Sequence, residues 1–324
     1  MRIQHRWLWI FLGVLLVVGG CSTKQQEQPQ KRIAGIVFQE DQFFRLILFG
    51  MREAAKKNGV ELLEANSAGK PDKELELINT YIANKVDAIV ISPLSLKASV
   101  SALTRAREKG IAVITYNTTV EGDIPASLVE SDQFDLGAST GKYARQYIES
   151  KLNGKATIAI LAAHSQTPEQ SGKRVAGFKS EISKLPNVRI VAEQDAWMPE
   201  QALKKTGDIL TANPGVNIIW SMNEGGTVGA VMAVKNARKA GKVVVFGTDN
   251  SEQLANFLLD DDNVLQAVTG QAPFEIGSLA VDAAVKVLKG VKVEKKISLP
   301  GVLMSREKPD EVRKFKERLR QLSN

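Results

Sequence analysis

Short runs of apolar β-forming residues recur along this chain, and the longer stretches between them repeat their apolar positions with helical spacing. Residues 33–38 predict a buried strand, and residues 44–58 a helix that stops near Gly59. A strand is expected over 60–65, a helix with proline in its first turn over 71–84, and a strand over 86–92. A helix over 96–109 and a strand over 111–116 close this set. The alternation then starts again. Helices are predicted over 133–152, 170–184, 199–211, 227–239 and 274–289. The strands between them fall at 157–161, 188–192, 217–222, 242–246 and 264–269. Apolar strands alternating with helices imply parallel βαβ units with helices on both faces. Two successive sets predict an α/β fold of two doubly wound parallel-sheet lobes. Three short crossover strands, near Ser131, Gln271 and Pro300, are expected to join them. The amino-terminal lobe would take residues 33–131 and 272–299, and the carboxy-terminal lobe residues 132–271 and 300–324.

Composition narrows the class. With 44% hydrophobic and 24% charged residues the chain is globular and not disordered. His5 and His164 are isolated and Cys21 is the only cysteine, so no metal site is expected. The formal charge is +7, and two stretches carry much of the excess: polar residues 24–32, and residues 306–320, which read as an amphipathic helix. No nucleic-acid motif accompanies the charge, and a solvated surface facing acidic lipids accounts for it.

The amino terminus explains why a membrane is invoked. Arg2 and Arg6 precede an apolar stretch at 7–18, shorter than the roughly 20 residues of a spanning helix. Small residues follow, Val18-Gly19-Gly20-Cys21, and then polar ones, as in a secretory signal peptide. Ending on cysteine, the segment resembles a bacterial lipoprotein signal. That resemblance implies a signal over 1–20, a lipidated Cys21 and a tether over 21–32. No thiol would then remain for a disulfide, and a domain of this size can rely on its core.

Ligands of open α/β sheets bind outside the carboxyl ends of the strands. The predicted strand ends carry Asp41, Phe43 and Phe44, then Ser92, Asn117, Trp197, Asn223-Glu224, Asp249-Asn250 and Gln271, with Arg174 one helix start away. Singly, such residues serve as helix caps and turns. Jointly they suit a sugar. Asp, Asn, Gln and Arg can each take two neighbouring hydroxyls, and an aromatic ring covers the apolar face of the sugar. The charges of Asp41, Asp249 and Arg174 partly cancel, which points to a neutral polyol.

From residue 33 to about residue 303 the chain resembles the type I periplasmic substrate-binding proteins of the ribose/galactose group. The resemblance rests on residues 36–44, on 86–93 with Asp87-Ala88-Ile89-Val90-Ile91-Ser92-Pro93, and on 111–117. It also rests on Arg174-Val175-Ala176-Gly177-Phe178, on 219–229, on 244–249, and on Gln271 with Pro273 and Gly277. It implies a sugar held between the lobes by Asp41, Asn117, Arg174, Asn223, Asp249 and Gln271. Phe44 and Trp197 would sandwich the ring, with Phe43 alongside and Ser92 as a further candidate. Asn117-Thr118 stands where an Asp-Arg pair is usual, and Gln42 stands for a common proline, so ribose itself is not implied. The resemblance further implies a cofactor-free, extracytoplasmic monomer that closes on its ligand and delivers it to the permease of an ABC transporter. A sensor kinase or chemoreceptor is the alternative partner. A nucleoside, a furanose signal or an amino acid is the alternative ligand. An enzyme is not expected. Residues 137–143, Gly-Ala-Ser-Thr-Gly-Lys-Tyr, fall short of a phosphate-binding loop, and the sequence places no nucleophile and orienting acid together with His164. A signal stands where a transcription regulator would need its DNA-binding segment.

Overall fold

The computed structural model describes residue 1 and residues 29–323. The expected signal peptide and the Cys21 anchor lie outside the described residues. Residues 31–324 form one compact unit. Its first half runs β1 (Arg32–Val37), α1 (Gln42–Asn58), β2 (Glu61–Asn66), α2 (Pro71–Ala83), β3 (Ala88–Ile91), α3 (Val100–Glu108), β4 (Ala112–Tyr116) and β5 (Ser127–Ser131). The second half follows with α4 (Gln133–Lys151), β6 (Lys155–Ala162), α5 (Pro168–Ile182), β7 (Asn187–Asp195), α6 (Pro199–Ala212), β8 (Ile218–Ser221), α7 (Glu224–Asn236), β9 (Val244–Thr248), α8 (Glu252–Leu259) and β10 (Leu265–Gly270). Then come α9 (Pro273–Leu288), β11 (Lys296–Leu299), β12 (Val302–Ser305) and α10 (Pro309–Ser323).

Two six-stranded sheets result, ordered β2-β1-β3-β4-β5-β11 and β7-β6-β8-β9-β10-β12. The first is parallel throughout. In the second, β12 runs antiparallel to β10, because the chain crosses from β11 in the first sheet and enters the second lobe at the carboxyl ends of its strands. The two-fold α/β architecture is the one the alternation implied. The chain changes sheet between β5 and β6, between β10 and β11, and between β11 and β12. Central strands are apolar on both faces: β3 and β8 are buried at every position. Each sheet therefore has a core on either side.

Helix contacts explain the glycines at 137 and 141. Helix α4 lies so close on α5 that a Cβ at Gly137 would fall 1.8 Å from the Arg174 carbonyl oxygen. One at Gly177 would fall 2.0 Å from that of Phe134. The same device joins α1 to α9 in the other lobe, where Gly50 meets the Phe274 carbonyl and Gly277 that of Ile47. The segment that half resembled a phosphate loop is thus a helix-crossing surface. Helix α10 buries Val312 and Leu319 in the second lobe, with Phe315 packed beside them, so the basic carboxy-terminal segment is a docked amphipathic helix.

Gly137→Ala removes a helix-interior glycine, a gain of about 1 kcal/mol on propensity alone. Overpacking against a backbone carbonyl costs about 1–3 kcal/mol and outweighs it. A lower midpoint in urea unfolding is expected. An unchanged or raised midpoint would show that the two helices have room.

Candidate functional site

A cavity of about 260 Å³ lies between the lobes, at the carboxyl ends of the strands. Its first-lobe wall follows β1 and carries Asp41, Gln42, Phe43 and Leu46. The second-lobe wall carries Glu224 after β8, then Asp249, Asn250 and Ser251 after β9. Gln271 and Pro273, on the crossover between β10 and α9, form the floor.

Local chemistry places each group. Asp41 is the N-cap of α1: its Oδ1 accepts the Phe44 amide at 2.9 Å. Its other oxygen takes a short hydrogen bond from Gln39. Asp249 sits at φ 74°, a left-handed conformation that costs most residues energy and that Asp tolerates better than most. Three contacts hold it there. Its own amide donates to the Thr269 carbonyl at 2.9 Å, its Oδ2 accepts the Glu224 amide at 3.1 Å, and its Oδ1 accepts from Arg174 at 3.3 Å. Arg174 is 5% exposed and also donates to Gln133 Oε1 and to the Met222 carbonyl, both at 2.8 Å. Three buried polar atoms on the cavity-lining residues lack a protein partner: Gln42 Nε2, Asn250 Oδ1 and Gln271 Oε1.

Asp41, Phe43, Asp249 and Gln271 therefore come together, and the other candidates do not line this cavity. Phe44 is 3% exposed and packs against Phe38 at 4.3 Å and edge-on to Phe43 at 5.3 Å. Trp197 packs on the second lobe's core. Phe43 is the ring that lines this cavity, while Phe44 is buried in the first lobe's core and Trp197 stays partly exposed beside the second lobe's core. Asn223 is an N-cap: its Oδ1 accepts the Gly226 amide and its Nδ2 donates to the Trp197 carbonyl. Ser92 is 1% exposed and bonds Thr118 at 3.0 Å. Asn117, at φ 58°, ends β4 with its amide on the Val129 carbonyl. Arg174 stands behind the wall as the group that positions Asp249. The lining charges are consequently Asp41, Glu224 and Asp249, and the Arg174 guanidinium balances only Asp249, from behind the wall. Glu224 and Asn250 stood in the sequence as strand-end residues, and Gln42 as a departure from proline. Position after a strand was the signal that marked them.

Comparison with known proteins matches this architecture. The model of the family described as periplasmic binding protein domain matches residues 36–292. The ABC transporter periplasmic-binding protein YphF of Escherichia coli (strain K12) is 30% identical over 293 residues, 88% of each chain. The ribose import binding protein RbsB of Haemophilus influenzae is 30% identical over 283 residues, 87% of this chain and 94% of that one. A solved ABC transporter periplasmic solute binding protein from Actinobacillus succinogenes 130z, with bound D-allose, superposes with a TM-score of 0.75 at 27% identity. The match covers 87% of this chain and all of the other.

Burial raises the Glu224 carboxyl above the usual glutamate range, and the charges of Asp249 and Asp41 push the same way against a hydrogen bond from Ser251. The folded chain thus holds this proton more tightly than the unfolded chain does. The contribution of Glu224 to stability is full below the ordinary glutamate value and is lost as the pH rises through its raised folded value. Melting temperatures of the wild type and Glu224→Gln, followed from about pH 4 to about pH 7, should diverge. The variant is expected to lose less stability as the pH rises. Parallel curves would show that Glu224 titrates as it does in the unfolded chain.

Proposed function

The chain belongs to the periplasmic binding protein domain family, and from that premise we propose that it binds a monosaccharide between its lobes and passes it to the permease of an ABC transporter. It is a binding protein and not an enzyme, and its family works outside the cytoplasm. Relatives named for ribose import and a solved relative holding D-allose support a sugar as the ligand class.

The observation that carries this reading is the composition of the interlobe cavity. One aromatic ring, Phe43, faces it together with carboxylate and amide side chains, and three buried amide atoms there have no partner. Buried polar groups are normally paired, and a ring of hydroxyls can satisfy donors and acceptors at once. Asp41, Asp249 and Gln271 hydrogen-bond the hydroxyls, Phe43 covers an apolar face of the sugar, and Arg174 keeps Asp249 aimed.

The lobes close as a clamp about the three crossovers. The ligand contributes contacts to both walls at once, which exist only in the closed state. The permease reads that state. Residues 33–131 with 272–299 form one jaw, and 132–271 with 300–324 the other. Cys21, lipidated, keeps a monomer near its transporter.

Thermal shift and calorimetry against pentoses, hexoses, inositols, nucleosides and amino acids test the reading, because tight binding raises stability by mass action. A shift from at least one sugar or polyol is expected. Asp249→Asn, which tolerates the left-handed conformation, should lower that affinity roughly 10–100-fold with the circular dichroism spectrum unchanged. A response to nucleosides or amino acids alone would reject a sugar ligand.

A further inference from the structure

Resting on the sugar-binding reading, we infer that the ligand carries an amine as well as hydroxyls, and that Glu224 is the residue that selects for it. The first reason is charge. Asp41, Glu224 and Asp249 line the cavity, and no lysine, arginine or histidine does so among the described residues. Arg174, behind the second-lobe wall, is spent. It serves Gln133, the Met222 carbonyl and Asp249, and so compensates Asp249 alone. Asp41 and Glu224 are left lining the crevice from opposite lobes. Closing the clamp brings these two like charges into a drier space, where their repulsion grows. With a neutral ligand the repulsion is relieved only by a proton on Glu224. An ammonium placed between them turns the repulsion into two charge-assisted hydrogen bonds.

The second reason is independent of charge and counts donors. Two of the three unpartnered atoms, Asn250 Oδ1 and Gln271 Oε1, are acceptors, and only Gln42 Nε2 is a donor. Carboxylates add acceptors only. The wall therefore asks for more donors than a set of hydroxyls brings with its matching acceptors. An ammonium offers three donors and no acceptor.

Glu224 is the member of the set free to select. Asp41 is committed to capping α1, and both oxygens of Asp249 are engaged within the second lobe. Glu224 opens α7 at the cavity wall, with Ser251 on the same wall. It therefore keeps acceptor capacity for a ligand.

The test is calorimetric titration of the mature chain with matched pairs: D-glucose and D-glucosamine, D-galactose and D-galactosamine, D-ribose and its amino-deoxy counterpart, and myo-inositol and an amino-deoxy-inositol. At neutral pH the amine of at least one pair should bind roughly 10-fold or more tighter than its hydroxyl partner. Glu224→Gln should bring that pair to within about 3-fold of each other, and Glu224→Asp should retain part of the preference. A neutral sugar or polyol that binds as tightly as its amine, or more tightly, overturns the inference and leaves the sugar reading intact. A preference that survives unchanged in Glu224→Gln overturns the role of Glu224. Silence from both members of every pair rejects the sugar reading, and the inference falls with it.

Discussion

Much of the second lobe's binding face hangs on one buried cation. The guanidinium of Arg174 reaches from α5 to Gln133 at the start of α4, to the backbone at the end of β8, and to Asp249 after β9. Four separate segments are tied at one point. Leaving such a group buried without its partners costs about 3–5 kcal/mol, so the ends of β8 and β9 cannot drift independently. That constraint lets Asp249 keep a left-handed backbone, and it lets Glu224 begin α7 where it faces the opposite lobe. The chemistry of the crevice is therefore decided by a residue that does not line it.

The fold was legible because buried parallel strands are written as unbroken apolar runs and their helices as a distinct period. Helix α8 escaped that reading, and β5, β11 and β12 were expected only as short crossover segments near Ser131 and Pro300, each for a physical reason. Strand β5, Ser-Leu-Val-Glu-Ser, alternates and is short. Helix α8 has eight residues, too few for its period to stand out from its surroundings. Strands β11 and β12 lie at sheet edges, where burial is partial and the apolar signal thins.

The site was half legible. Strand ends named Asp41, Phe43, Asp249 and Gln271, since topology alone sends them to the crevice. The sequence could not say which polar residues were already occupied. Asn223 and Ser92 look like ligand-binding groups in one dimension, yet a helix start and a neighbouring threonine consume them. Phe44 differs from Phe43 by a single helical step, and that step of about 100° turns one ring to the core and the other to the cavity. Glu224 was visible and undervalued, because its importance comes from Asp41, which is distant in sequence.

The crossovers also bear on how the molecule is made. Helix α9 is held against α1 through Gly50 and Gly277, and β11 completes the first sheet, although both follow most of the second lobe, through β10, in the chain. A nascent chain emerging from its amino terminus must wait, with an unfinished sheet and an uncovered α1, until more than two hundred further residues have appeared. Contacts of such long sequence separation slow folding. The half synthesised first thus waits longest for its last elements, and during that interval it is the part most in need of protection from aggregation.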